Sequence, residues 1–197
     1  MSRVSRESGF TVLETLFVVA LIGVIAAIAI PMYGKSLSDF RLSGDARSLS
    51  NAIALAKMRA ASNFSRVRLY AEIGGRRHRI EVWNKTTSAW VAEGGFVNLN
   101  TGVSFSFGVV GAAPPNTQTT IAQADQCTDN AGDAIANTAC IMFNSRGVPI
   151  DASLASTGAD ALYLTDGSAV NGVTVAATGM LRMWRTVPVA TPSWILN

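Results

Sequence analysis

An apolar run near the start of the chain constrains everything that follows it. From Leu16 to Ile30 there is no charged side chain and a single glycine, Gly23. Counted from Phe10, the stretch to Ile30 is long enough, as a helix rising roughly 1.5 Å per residue, to cross a bilayer's hydrocarbon core. One ionisable group, Glu14, sits a turn inside it. A carboxylate in hydrocarbon costs on the order of several kcal/mol, so it is tolerated where it has a partner. Two readings of Glu14 follow. In one, the segment is a plain anchor with its acid at headgroup level. In the other, the chain is cut after Gly9. That cut frees an α-amine on Phe10, four residues from Glu14, and leaves the acid in the positive first turn of a helix.

A competing cut must be weighed. Arg3 and Arg6 form a basic leader, and Ala27-Ile28-Ala29 has the small-residue pattern of a signal peptidase site, which would leave an N-terminus at Ile30. Three features count against it: the run is long for a signal sequence, Glu14 interrupts it, and helical patterning continues past Pro31. Under either cut the basic leader stays cytoplasmic and the bulk of the chain faces outward.

The 197 residues suffice for one ordinary domain plus this anchor. Net charge is +3, of which the first nine residues supply +1 through Arg3 and Arg6 against Glu7, leaving +2 from the side chains that follow. Bulk charge that small excludes a nucleic-acid argument from composition, so any such case rests on where the arginines sit. Cys127 and Cys140 lie thirteen residues apart, and in an exported domain they are expected to form one disulfide. Closing so small a loop contributes roughly 3 kcal/mol by the chain-entropy argument. Two cysteines with one remote histidine, His78, do not make a zinc site.

Beyond Pro31 the pattern turns amphipathic. Leu42, Ala46, Leu49, Ile53, Ala56 and Ala60 recur at spacings of four and three, one face of a helix. Small and medium residues on that face predict packing on a sheet, and the helix is expected to run from about Phe10 to Ala61. The period then drops to two. Val67, Leu69 and Ala71 alternate with Arg66, Arg68 and Tyr70, a half-buried strand. A turn at Gly74-Gly75-Arg76-Arg77 leads to a returning strand with Ile80 and Val82. Short strands are expected at Trp90-Val91 and Phe96-Val97, and around Val103 to Phe107. Residues 111 to 139 lack periodicity and read as a long loop closed by the disulfide. Strands resume at 140–144, 161–165, 173–176 and 180–186.

The stretch Ser8-Gly9-Phe10-Thr11-Val12-Leu13-Glu14-Thr15 resembles the N-terminal signal of type IV pilins and type II secretion pseudopilins, with Gly9, Phe10, Thr11, Leu13 and Glu14 matching in place. The resemblance implies cleavage after Gly9 by a prepilin peptidase and N-methylation of Phe10. It also implies that Glu14 neutralises the terminal amine of a neighbouring subunit in a filament, and that Gly23 and Pro31 bracket a helical segment able to melt. Further on, Ala56-Lys57-Met58-Arg59-Ala60-Ala61 leading into Val67-Arg68-Leu69, then Phe143 and Gly147, resemble the FimT/GspH group of minor pilins and pseudopilins.

The resemblance implies an α+β, pilin-like fold. Its parts are a leader over residues 1–9, a helix over 10–61 that spans the inner membrane with 10–30, and a periplasmic antiparallel β domain over 62–197. Residues 127–140 form the disulfide loop. The implied partners are other pilin or pseudopilin subunits, the prepilin peptidase, the inner membrane and, in DNA uptake, duplex DNA. Pilus and secretion contexts both stay open.

No enzyme signature stands out. His78, within Arg76-Arg77-His78-Arg79, has no nucleophile or carboxylate to complete a triad and is expected in a solvated hairpin. An exported hydrolase on a lipid anchor would need such a pair. Asp125, Asp129 and Asp133 recur every four residues, unlike a calcium loop with ligands at every second position, and are expected to be solvated. No cofactor-binding pattern is present. Arg66, Arg68, Arg76, Arg77 and Arg79 cluster on one hairpin, and Arg182 and Arg185 lie on the last long strand with Trp184 between them, where an indole is expected to stack on a base. FimT-type proteins that bind DNA carry glycine-arginine-x-arginine near the C-terminus. Here that place reads Gly179-Met180-Leu181-Arg182-Met183-Trp184-Arg185, with the first arginine absent and the spacing stretched. Against a dedicated site stands the fact that outward strand positions of an antiparallel sheet often hold arginine.

Overall fold

The structure, a computed structural model, describes residues 11–197 apart from the side chains at 31 and 32. Gly9 and Phe10 lie outside the described residues. The chain forms two compact units, one ending at Ser38 and the other running from Asp39 to Asn197. One helix, α1 (Val12–Ser62), contributes to both. It opens on a local cap: the Thr11 side-chain oxygen accepts the Glu14 N–H at 3.2 Å, which satisfies one of the free donors at a helix start. The helix continues through Gly23 and Pro31.

Within the second unit, Leu42, Ala46, Leu49, Ile53, Ala56 and Ala60 are all buried in one apolar cluster. This is the stripe that the spacing of four and three singles out. The helix closes with the Ser65 N–H donating to the Ala60 carbonyl at 3.3 Å, and Phe64 takes a left-handed backbone at φ 49°.

Two five-stranded sheets meet this stripe where the pattern had suggested one. The first contains β1 (Val67–Glu72), β2 (Arg77–Asn84), β3 (Ala89–Asn98), β5 (Thr138–Phe143) and β6 (Pro149–Ile150), in the order β3-β2-β1-β5-β6. The second contains β4 (Ser104–Phe105), β7 (Ala159–Thr165), β8 (Val170–Ala176), β9 (Leu181–Thr186) and β10 (Ile195–Leu196), in the order β10-β9-β8-β7-β4. All the pairings are antiparallel. In β1 the alternation holds: Leu69 stands opposite Ile80 of β2 and Ile141 of β5, all three facing the core. The two short strands expected around Gly94-Gly95 are one ten-residue strand, β3, whose pairing with β2 slips between His78 and Ile80. The architecture is α+β: one long N-terminal helix packed on antiparallel sheets.

The second sheet is covered on both faces. Leu162 and Leu164 point into the helix-side core, whereas Ala161, Tyr163 and Val170 belong to a second cluster with Val110 and Ile121 from the long loop. That loop therefore has a core of its own. Gln123 binds Tyr163 on both sides, accepting its N–H at 2.8 Å and donating to its carbonyl at 2.9 Å, as a neighbouring strand would. Cys127 and Cys140 are joined by a disulfide.

Two of the glycines at the resemblance positions have a packing cause. Gly147 and Gly179 both take left-handed backbones, at φ 74° and 72°. A Cβ on Gly179 would meet the Gly147 carbonyl oxygen at 2.7 Å and the Lys57 Nζ at 2.9 Å. Lys57 lays its stem across Gly147 and donates to the Gly179 carbonyl at 2.9 Å. Helix and both sheets are thus pinned at one point that has no room for a methyl group. Gly179→Ala is expected to lose at least about 1–2 kcal/mol from the left-handed backbone alone, with the clash adding to it. Urea unfolding should show the loss, and an unchanged midpoint would remove this account of the site.

Candidate functional site: an apolar helix and an arginine–aromatic face

The first unit offers a hydrophobic rod. Its large apolar side chains are exposed along the length, from Leu13 at 80% to Ile30 at 71%, and the helix is long and apolar enough to cross a membrane. Glu14 occupies the third position after the Thr11 cap, where the helix's partial positive charge favours an anion. Thr11 was not among the residues singled out for a capping role. The signal was present as Thr-x-x-Glu, the spacing of a capping box. Among the described residues a Cβ on Gly23 would meet nothing within 4 Å, so packing against them does not require the glycine. An unforced glycine inside a helix weakens it by roughly 0.5–1 kcal/mol relative to alanine.

The second unit presents the hairpin arginines on the outer face of the first sheet, and the register explains their grouping. Arg68, Arg79 and Glu81 share a face with Tyr70, Trp83 and Trp90, because partners across antiparallel strands project to the same side. Arg66 lies 4.2 Å over the Trp83 ring and Arg68 4.1 Å over Trp90. Arg79 and Arg77 lie 4.3 and 4.1 Å over Phe96. The result is a ladder of guanidinium groups over aromatic rings, a contact each ring quadrupole favours.

Most of these cations are already matched. Arg68, almost fully buried, donates to Glu81 at 2.7 Å and to the Thr128 carbonyl at 2.6 Å. Burial lowers its pKa, and the adjacent Glu81 carboxylate opposes that shift. Arg79 donates to the other oxygen of Glu81, and Arg77 to Glu72. Arg66 has no carboxylate partner among the described residues. Arg76 is exposed in the turn with φ 49°.

Arg182 and Arg185 do not meet. Three residues apart on β9, they point to opposite faces. Arg185 turns toward α1, pairing with Asp39 at 2.7 Å and reaching Ser43. Arg182 is exposed on the other side, opposite Thr174. Trp184 is buried and donates its indole N–H to the Thr174 hydroxyl at 3.0 Å, so it offers no face for stacking.

His78 is a second correction. The solvated hairpin histidine is in fact buried at 1% exposure on the helix side of β2, and neither ring nitrogen has a hydrogen-bond partner among the described residues. Alternation explains it: His78 shares the phase of Ile80, not of Arg77 and Arg79. Desolvation lowers its pKa, and the negative charge of Asp45 on α1 partly offsets this. In the acidic loop, Asp129 accepts the N–H groups of Ala131 and Asp133, and no metal-holding group of three acids, cysteines or histidines occurs among the described residues.

No family model matches the sequence, and no curated protein matches it. The chain is similar in structure to the minor pseudopilin EpsH of the type II secretion system of Vibrio cholerae in two solved structures. For one the identity is 14% and the TM-score 0.46, covering 73% of this chain and 95% of that one. For the other the values are 13% and 0.45, covering 80% and 97%.

The buried histidine yields a pH dependence of definite sign. The folded state binds this proton less readily than the unfolded chain, so stability is full above the ordinary value and falls as pH drops below about 6.5. His78→Phe is expected to flatten that limb. Half-buried Asp160, raised to about 6 mainly by burial, acts in the opposite sense and loses stability as pH rises through that value. The wild-type-minus-variant difference, measured by urea unfolding between pH 5 and 8, isolates His78. A difference independent of pH would show that the histidine does not titrate there.

Proposed function

We propose that the chain is a minor pilin or pseudopilin: a filament subunit whose anchor lies in the inner membrane and whose β domain lies in the periplasm before assembly. The observation that carries this reading is the exposed apolar rod with one acid in its first turn. An unpartnered intramembrane carboxylate needs a counter-charge, and the terminal amine of an adjoining subunit would supply one after cleavage at Gly9. Gly23, unforced by packing, and Pro31 further along would let that stretch of helix loosen during assembly. The chain is then a structural component, not an enzyme, and its partners are other subunits and the prepilin peptidase.

Protein partners are favoured over duplex DNA by the arginines themselves. Arg77, Arg79 and Arg185 are engaged by carboxylates of the same chain, and Arg182 stands apart from Arg185. A phosphate-binding site would be expected to leave such groups free to converge.

Co-expression with a prepilin peptidase is expected to yield a chain beginning at N-methyl-Phe10, read by mass spectrometry, and a bulky residue at Gly9 should leave the precursor uncut. Glu14→Ala should still be cut and yet enter filaments poorly. Mature chains beginning at Ile30 would refute the reading, whereas wild-type entry of Glu14→Ala into filaments would remove the charge-pairing step alone.

A further inference from the structure

Two large apolar side chains stand exposed on backbone that disfavours them. Six non-glycine residues have positive φ among the described residues, and only Phe64 and Leu154 of these are apolar. Phe64 follows the end of α1 at φ 49°, a position glycine usually takes, and is 74% exposed. Leu154 lies in the turn after β6 at φ 69° and is 53% exposed. Neither side chain recovers the cost of its backbone by burial. Strain that the fold does not need points to a use outside the fold.

The two residues border the same cleft of about 240 Å³, floored by buried Ile150 and rimmed by Arg66 and Lys85. No acid lines it. Lys85 holds the Phe64 carbonyl through its ammonium, so one cation is fixed beside the ring. Arg66 has no carboxylate partner among the described residues, and its guanidinium carbon is held 4.2 Å over the Trp83 ring. The neighbouring arginines of the same sheet face are paired with Glu72 and Glu81, which sets this end apart.

We propose that this cleft, at the end of the domain where α1 stops, docks an acidic segment of a partner protein. One apolar side chain of that segment enters between Phe64 and Leu154, and a flanking carboxylate meets Lys85 and Arg66. A recess favours an inserted side chain over a flat anionic membrane, and two cations without an acid select for negative charge. The inference goes beyond the filament-subunit reading and does not depend on it.

The probe is a labelled synthetic hexapeptide alternating aspartate and leucine, titrated by fluorescence anisotropy against the full chain in detergent micelles. Saturable binding with a Kd below about 1 mM is expected. Phe64→Gly should weaken it at least about tenfold while raising the thermal midpoint by about 2 °C, because glycine relieves the left-handed backbone. Leu154→Asn and Lys85→Gln should also weaken binding. Replacing aspartate by lysine, or leucine by serine, in the peptide should abolish it. The proposal is overturned by absent binding, by equal binding of the lysine peptide, or by variants that bind as wild type. A lowered midpoint for Phe64→Gly would make the ring structural and overturn it equally. So would Phe64-dependent binding to phosphatidylglycerol vesicles in place of the peptide.

Discussion

The packing of one face of α1 against two sheets at once sets the terms for the rest of the domain. Ala46, Ala56 and Ala60 are fully or almost fully buried, and with Leu49 and Ile53 they form the helix side of one apolar cluster. Core residues from the first sheet (Leu69, Ile141, Phe143) and the second (Leu162, Leu164, Val173) join a single cluster around that stripe. With their inner faces used in this way, the sheets need separate solutions outside. The second sheet is covered by the long loop through Tyr163, Val110 and Ile121. The first is finished with arginines laid on aromatic rings.

That outer face shows how a polar surface can be nearly closed electrostatically. Glu81, itself buried, accepts from Arg68 on one oxygen and from Arg79 on the other. Its two oxygens tie together guanidinium groups from two neighbouring strands, each of which also lies over an aromatic ring. Charge is left over toward the Arg66 and Lys85 end and, in the turn at the other end of the hairpin, at Arg76. The same residue types therefore serve two purposes along one face, separated by whether a carboxylate stands within reach.

Local periodicity carried most of what could be read in advance. Every residue of the helix stripe is buried as its spacing requires, and in β1 Val67, Leu69 and Ala71 share the core face as read. The division into two sheets was not legible, because β1 pairs with β5 across more than sixty residues and no local pattern encodes that choice. His78 was misjudged because three arginines around it suggested solvent, although strand phase already placed it with Ile80. Trp184 likewise took its expected exposure from its arginine neighbours, while the hydroxyl of Thr174 on the adjoining strand gives its indole a buried partner. The loop's inner cluster had no period to betray it. Its order comes from Gln123 and Gln118, whose side chains bind the Tyr163 backbone and hydroxyl.

The way α1 is seated in the domain also decides how tension would travel. A pull along the helix axis at residue 39 acts parallel to the interface with the sheets, so the stripe from Leu42 to Ala60 is sheared along its whole length instead of being peeled from one end. The Arg185–Asp39 pair meets the pull at the entry and the Lys57 clip on Gly179 meets it near the far end. Between them the close-packed core spreads the strain over both sheets. The domain is built as a lap joint, with a fastener at each margin.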